Sequence, residues 1–175
     1  MFAALGEEAA FCEWVKRLGG EATLAAPTRH GGWSGAELIY IQAHRLFQGP
    51  RKAEFRSAVE RARRDGALLA LELDEASWIR ERGGPQAAYE LAALRPDILF
   101  ATEASAAELG VPLEGIASVP VTRLESGGCS VHGRRVLASG AGQDQDALAA
   151  AFCVALLEGV APVEAAGRAV LVAAR

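Results

Sequence analysis

Apolar and polar residues follow two spacings along this chain, which predict helices and buried strands in alternation. Residues 6–18 place apolar side chains on one helical face, at Ala10, Phe11, Trp14, Val15 and Leu18. Further helices are predicted at 51–65, 85–94, 103–109 and 162–174. Strands are predicted at 21–27, 37–43, 67–73, 97–101 and 117–124. The nearly continuous apolar runs in several of these strands are typical of a sheet that is covered on both faces.

Residues 139–159 form the segment around which the other predicted elements are arranged. Within it, residues 147–158 predict a helix that is apolar on nearly every face, and such a helix must be buried on all sides. Gly159 ends this helix. A glycine turn ahead of a helix is a common place for an anion to bind. Four polar residues at the amino end can also cap the free backbone N–H groups, namely Gln143, Asp144, Gln145 and Asp146.

The order of these elements predicts the fold class. Strands and helices alternate along the chain, which indicates a three-layer α/β/α sandwich with a mostly parallel sheet. Residues 129–132 and 135–138 predict a hairpin at the edge of that sheet, because His132 and Gly133 favour a tight turn. With 175 residues and no internal repeat or linker, the chain is expected to form a single domain, 1–175.

Composition argues against several classes of function. The net charge of −4 lacks the basic face of a nucleic-acid-binding protein, so no nucleic-acid partner is expected. No apolar run reaches the roughly 18–20 residues of a membrane span and no signal peptide begins the chain, which predicts a cytoplasmic protein without a membrane partner. The scattered Cys12, Cys129 and Cys153 predict buried free thiols rather than disulfides or a metal site.

Charged residues in two places are candidates for ligand binding. Asp74 follows the predicted strand 67–73, at the carboxyl end where open α/β sheets bind ligands, although Asp74 or Ser77 could instead cap a short helix. The predicted helix 51–65 carries several basic residues that suggest a phosphate patch. Acidic residues are interspersed among them, so an ordinary solvated helix face is the favoured interpretation.

Six segments of the chain follow one another in a characteristic order: 5–27, 37–44, 61–78, 95–110, 121–136 and 145–159. In their order and spacing they resemble the ribokinase-like (PfkB) family of sugar and nucleoside kinases. The most specific are VTRLESGGCSVHGRRV at 121–136 and QDALAAAFCVALLEG at 145–159, which resemble the family's hairpin and the end of its GAGD signature. The resemblance implies a ribokinase-like sandwich over nearly the whole chain.

The GAGD signature implies roles that this sequence keeps only in part. In the family, its glycines offer backbone N–H groups to the transferred phosphate, and its Asp is the catalytic base. That Asp corresponds to Asp146, but Gln143, Asp144 and Gln145 stand where the glycines should be. A GAG sequence does occur at Gly140 to Gly142, three residues too early. Together with Gln143 it is a second candidate for binding nucleotide, although Gln cannot act as a base.

The sequence also departs from the family at the motif that organises magnesium, at a second conserved motif and in the segment that forms the lid. The family's N-x-x-E, which organises magnesium and phosphate, falls on Thr102 and Ser105, and its D-x-N-x-R falls on Glu72, Asp74 and Ala76. Nine residues separate Pro27 from Glu37, where the family has a much longer stretch with the lid over the sugar. We therefore expect a shortened domain with the lid missing, and without the family's first strand or its last strand and helix.

These departures favour a degenerate member without kinase activity, a pseudokinase that acts as a binding or interaction protein. The sheet edge that the missing lid uncovers predicts a homodimer or a protein partner. No cofactor is then expected. The alternative is a small-molecule (sugar or nucleoside) kinase that uses ATP and Mg²⁺, with Asp146 as base and with Glu103 and Asp74 near the metal or substrate. Asp146 could instead be only an N-cap, and the chain could be an unrelated α/β protein.

Overall fold

The computed structural model describes residues 1–5, 8–25, 35–73, 76–138 and 143–174. Its strands are β1 (Phe2–Leu5), β2 (Ala22–Ala25), β3 (Leu38–Gln42), β4 (Leu68–Leu73), β5 (Ile98–Thr102), β6 (Val119–Arg123), β7 (Cys129–Val131) and β8 (Arg134–Val136). They form one sheet, in the order β2-β1-β3-β4-β5-β6-β7-β8.

The first six strands are parallel, and β7 and β8 continue the sheet in antiparallel pairing. The carboxyl ends of β3, β4, β5 and β6 therefore lie along the same edge of the sheet. The predicted hairpin is confirmed. His132 and Gly133 join β7 to β8 with positive φ angles of 49° and 74°, which is the pattern of a type I′ turn.

Helices cover both faces of this sheet. They are α1 (Ala9–Arg17), α2 (Lys52–Arg64), α3 (Ala76–Arg82), α4 (Gly84–Ala93), α5 (Glu103–Leu109), α6 (Gln145–Leu157) and α7 (Pro162–Ala173), with short 3-10 turns at Ala43–Leu46 and Leu113–Gly115. The side chains of α1, α6 and α7 pack in one apolar cluster, and those of α2 to α5 pack in a second cluster. Successive strand residues point to opposite faces, so Tyr40 of β3 belongs to the first cluster and Ile41 to the second. The predicted three-layer α/β/α sandwich is confirmed.

Helix α6 is the most deeply buried helix of the first layer, as the sequence predicted. Leu148, Phe152 and Cys153 have no exposed surface, and the alanines between them are buried as well. The helix packs against α1 and α7 in addition to the sheet. Small alanine side chains allow these neighbours to approach closely on every side. Among the described residues, no helix is both long enough and apolar enough to cross a membrane.

Two predictions about the ends of elements were wrong. No strand was expected ahead of the first helix, but Phe2–Leu5 forms β1 and pairs with both β2 and β3. Its four residues are too few to show a periodic pattern, and pairing on both sides fixes it as a strand. Ser77 lies inside α3 and so does not cap it. Asp74 and the stretch 26–34, where the lid was expected to be missing, lie outside the described residues.

Candidate functional site at the amino end of helix α6

Asp144 is the N-cap of α6. Its Oδ1 accepts a hydrogen bond from the backbone N–H of Ala147 at 2.9 Å, and its Oδ2 accepts one from the indole Nε1 of Trp14 at 3.1 Å. The carboxylate therefore satisfies one of the free N–H groups of α6 and also ties this helix to α1. The idea that Asp146 is the cap was wrong, because Asp146 lies in the first turn of the helix, half-buried.

Gln143, predicted to bind nucleotide, instead fastens the turn between β6 and β7. Its Oε1 accepts a hydrogen bond from the backbone N–H of Gly128 at 3.1 Å. Its Nε2 is buried and has no hydrogen-bond partner among the residues that the structure describes. Gly128 has a φ of +93°, a conformation that favours glycine. The Gln143 carbonyl group is thus used within the protein. Gly140 and Gly142, the other members of this predicted site, lie outside the described residues.

A buried ion pair lies beside the amino end of α6 on the same face of the sheet. Arg123, at the end of β6, donates from Nη1 to Oε1 of Glu72 at 2.7 Å and from Nη2 to Oε2 of the same carboxylate. The hydroxyl of Tyr40 also donates to Glu72 Oε2, at 2.8 Å. Arg123 Nη1 lies 3.3 Å from Oε1 of Gln145, the first residue of α6. This network joins β3, β4 and β6 to the helix.

Sequence reasoning did not assign a role to Arg123. It placed Glu72 only as the counterpart of a family motif position. The available signal was a charge of each sign inside an otherwise apolar strand, since Glu72 occurs in LLALEL and Arg123 in VPVTR. Charged residues inside such strands are rarely buried unless they are paired. That rule would have suggested that each has a partner, although it would not have named the partner.

The residues around the start of α5 also bind one another. Thr102 is the N-cap of α5: its Oγ1 accepts the backbone N–H of Ser105 at 3.0 Å and donates to Ser105 Oγ at 3.0 Å. These are the two positions where the family's metal-organising motif falls. Glu103, predicted near a metal or substrate, accepts the backbone N–H of Glu125 at 2.7 Å. It therefore holds the same β6–β7 turn that Gln143 holds.

The structure thus brings Gln143, Asp146 and Glu103 to the carboxyl edge of the parallel strands, while Asp74 lies outside the described residues. The charged groups described there are mostly carboxylates. A phosphate placed among them would be repelled unless a cation offset them, and the Arg123 guanidinium is already bound to Glu72. Within the described ranges, no group of three or more His, Cys, Asp or Glu side chains could hold a metal ion.

Thiols in the same layer are free and buried, as predicted. Burial raises the pKa of Cys129 in β7 to about 11, while the nearby Arg123 guanidinium opposes this shift. Burial also raises the pKa of Cys12 in α1 and of Cys153 in α6. A raised pKa keeps a thiol protonated at neutral pH and therefore unreactive. These cysteines are packing residues.

This chain is similar to known proteins in its three-dimensional structure. No model of a protein family matches the sequence, and no curated protein matches it. The adenosine kinase of Sinorhizobium meliloti superposes with a TM-score of 0.66 and 21% identity, covering 80% of this chain and 48% of that one. The PfkB protein of a Polaromonas species superposes with a TM-score of 0.62 and 20% identity, covering 80% of this chain and 53% of that one. The adenosine kinase of Schistosoma mansoni in complex with 2-fluoroadenosine superposes with a TM-score of 0.59 and 13% identity. That match covers 81% of this chain and 50% of that one.

This chain spans about half the length of the solved kinases that it matches. The match covers four fifths of its own residues, in a sheet with the mixed topology described above. The resemblance to ribokinase-like (PfkB) kinases that the sequence suggested is therefore confirmed, and this chain has their fold.

Proposed function

We propose that this chain is a non-catalytic protein with a ribokinase-like fold, and that it acts by binding another molecule or protein. The observation that carries this proposal is the use of Asp144 as the cap of α6. In a kinase of this fold, glycine N–H groups ahead of the helix would receive the transferred phosphate. Here a carboxylate accepts the Ala147 N–H at 2.9 Å, and its negative charge disfavours an anion at the same place.

The start of α5 supports the same proposal. Thr102 and Ser105 stand at the positions of the N-x-x-E motif, so the motif's acidic residue is replaced by a hydroxyl. Ser105 is fully buried and is bonded to Thr102, so its hydroxyl does not reach solvent. Phosphoryl transfer depends on positioning and on neutralising charge around the phosphates. Hydroxyls that bond one another contribute little to either requirement.

Calorimetric titration with ATP and with ADP, each with Mg²⁺, tests this proposal. We expect no saturable heat up to millimolar nucleotide, because the groups at the amino end of α6 are bonded within the protein. Saturable binding in the micromolar range would contradict the proposal and would indicate a rebuilt phosphate site. Titrating Asp144→Asn in parallel provides a matched variant, since it keeps a capping oxygen and removes the charge that disfavours phosphate.

A kinase that transfers phosphate from ATP to a sugar or nucleoside remains the second candidate. The observation that favours it is the place of Asp146, which lies in the first turn of α6 and is not the cap. A carboxylate at this position is suited to removing a proton from a substrate hydroxyl. If nucleotide binds, Asp146→Asn should abolish phosphate transfer while leaving nucleotide binding intact and lowering the urea midpoint only slightly. Transfer that survives this substitution would rule out Asp146 as the base.

We further propose that β2 is the edge through which the chain pairs with a second copy or with a partner. Among the described residues β2 is one of the two edge strands of the sheet, and its Leu24 is 48% exposed. An unprotected strand edge offers a row of backbone hydrogen-bonding groups. Light scattering coupled to size-exclusion chromatography should show a dimer at micromolar concentration that Leu24→Lys converts to a monomer. Leu171→Lys, at a 67% exposed position of α7, is the control. A wild-type monomer would contradict a homodimer.

A further inference from the structure

A groove of about 560 Å³ lies between α2 and α4, on the face of the sheet opposite α6. We call it the α2–α4 groove, and its chemistry comes from Phe47, Lys52, Arg56, Arg82, Tyr89 and Glu90. Its Phe47 and Lys52 follow the carboxyl end of β3, but on the face of the sheet opposite the amino end of α6, where the kinase-like site was sought. Three of its side chains are cationic and one is anionic, in a chain whose net charge is −4.

Glu90 is the one acid among the described residues that line this groove, and it is already neutralised. Arg82 Nη1 bonds the two carboxylate oxygens of Glu90 at 2.8 and 2.9 Å, and its Nη2 bonds the backbone oxygen of Phe47 at 3.1 Å. Gln86 donates a further hydrogen bond to Glu90 at 3.1 Å. Lys52 and Arg56 are exposed, and neither forms an ion pair with any described residue. The groove therefore has two cations in excess.

Arg56 is held in place without losing its hydrogen-bonding capacity. Its guanidinium carbon lies 5.1 Å from the ring centre of Phe47, and that of Arg82 lies 5.7 Å from the same ring. Phe47 in turn stacks on Trp78, with centroids 5.2 Å apart and an interplanar angle of 15°. Guanidinium donors lie in the plane of the group, so stacking on a ring leaves them available to a carboxylate.

Helix stability does not explain the position of Lys52. It is the first residue of α2, where the helix dipole disfavours a cation. Four residues separate Lys52 from Arg56, so both project from one face of the helix, about 5–6 Å apart at Cβ. Across the groove, the aromatic side chain of Tyr89 in α4 is 73% exposed. The groove thus presents two spaced cations opposite an apolar wall.

We propose that the α2–α4 groove binds an acidic segment of a protein partner. Two of its carboxylates would pair with Lys52 and Arg56, and an apolar side chain would pack against Tyr89. A peptide fits better than a small phosphate ligand, because the two donors are exposed and lie one turn apart along α2 instead of converging on one buried point. This inference names a second interaction surface, besides the β2 edge, for the proposed binding role, and it rests on that role.

The test uses two acetylated and amidated peptides of about twelve residues, made of Glu and Leu. In one the Leu residues have helical spacing, and in the other Glu and Leu alternate. Each is titrated into the ¹⁵N-labelled chain at about 50 mM salt. We expect saturable shifts at the amides of Lys52, Arg56 and Tyr89 with at least one peptide, and weaker binding at higher salt. Lys52→Glu/Arg56→Glu should weaken binding about tenfold or more.

A matched control separates a site from general attraction. Arg134→Glu/Arg135→Glu changes the net charge by the same amount on exposed residues of β8, at the far edge of the sheet, and should leave binding unchanged. Tyr89→Ala should weaken binding about threefold or more, because an exposed aromatic contributes contact area without affecting the fold.

Three results would overturn the proposal. They are the absence of saturable shifts with both peptides up to millimolar concentration, equal weakening by the two charge-reversal pairs, and saturation of the same amides by micromolar inorganic phosphate. Failure here is distinct from failure of the proposed function, which the nucleotide titration decides at the opposite face. Nucleotide binding with an unchanged peptide titration would overturn only the proposed function.

Discussion

Arg123 and Glu72 form a buried ion pair across β5, although 51 residues separate them in sequence. Glu72 is paired in register with Phe100 of β5 and Arg123 with Thr102, so the guanidinium crosses the strand above the Phe100 ring, 5.7 Å from its centre. The two side chains are 7% and 1% exposed. Because Arg123 also contacts Gln145, the first residue of α6, this pair lies directly beneath the amino end of the helix.

Glu72→Gln should destabilise the protein by about 3–5 kcal/mol, because it leaves the Arg123 guanidinium buried without its countercharge. Urea denaturation followed by far-UV circular dichroism measures this loss. Replacing both residues by methionine should recover much of it, since neither charge then needs to be desolvated. Such a recovery would show that the loss in Glu72→Gln comes mainly from leaving one buried charge without its partner.

A surface pair provides the control for this prediction. Glu158 and Arg168 lie 3.6 Å apart with side chains 58% and 52% exposed. Glu158→Gln should therefore change the free energy of unfolding by less than about 1 kcal/mol. Equal losses for Glu72→Gln and Glu158→Gln would contradict the central place given to the buried pair.

Asp144→Ala should destabilise α6 by about 1 kcal/mol through loss of its cap, with a further loss from the released Trp14 indole. Asp146→Ala should have a smaller effect, about 0.5 kcal/mol, because its carboxylate is a first-turn charge that the helix dipole favours and is not the cap. Hydrogen exchange at the Ala147 amide, which donates to Asp144, gives a local measurement alongside the urea midpoint. A larger loss for Asp146→Ala would show that the roles of the two residues are reversed.

Much of the fold could be predicted because its elements follow from local patterns. The helix predicted at 103–109 is α5, and Gly110 ends it with a φ of 66°, a conformation that favours glycine. The strand at Phe2–Leu5 was missed because four residues carry no period, and only pairing with β2 and β3 defines it.

The site was predicted less well, because its contacts join distant parts of the chain. Sequence reasoning selected Gln143, Asp146 and Glu103 as candidate site residues but did not say where in the sheet they lie. It could not foresee that Gln143 and Glu103 both bind the β6–β7 turn, at Gly128 and Glu125. Their partners lie 15 and 22 residues away and bond through backbone N–H groups. Backbone donors have no sequence signature, so such contacts appear only in the folded structure.

Gly128→Ala should be strongly destabilising, by about 3 kcal/mol or more, because two effects combine. Its φ of +93° is strained for any L side chain, and an added Cβ would lie 2.1 Å from the backbone oxygen of Val136. Gly133→Ala is the matched control, since its φ is +74° but nothing lies within 4 Å of the added carbon. That substitution should cost about 1–2 kcal/mol from backbone strain alone. Similar losses in the two variants would show that the strand at Val136 can move aside.

Stability should fall as the pH rises from 9 to 11, and Cys129 should contribute to this fall. Burial raises the pKa of its thiol from 9.0 to about 11. Above pH 9 the thiol of the unfolded chain loses its proton while that of the folded chain keeps it, so alkali favours unfolding. The contribution is fully present below pH 9 and amounts to about 2–3 kcal/mol of stability lost by pH 11. Urea midpoints measured between pH 8 and 11 should decline less steeply for Cys129→Ala than for the wild type, whatever the substitution costs at pH 8. Parallel curves for the two proteins would mean that Cys129 ionises equally readily in the folded and unfolded chain.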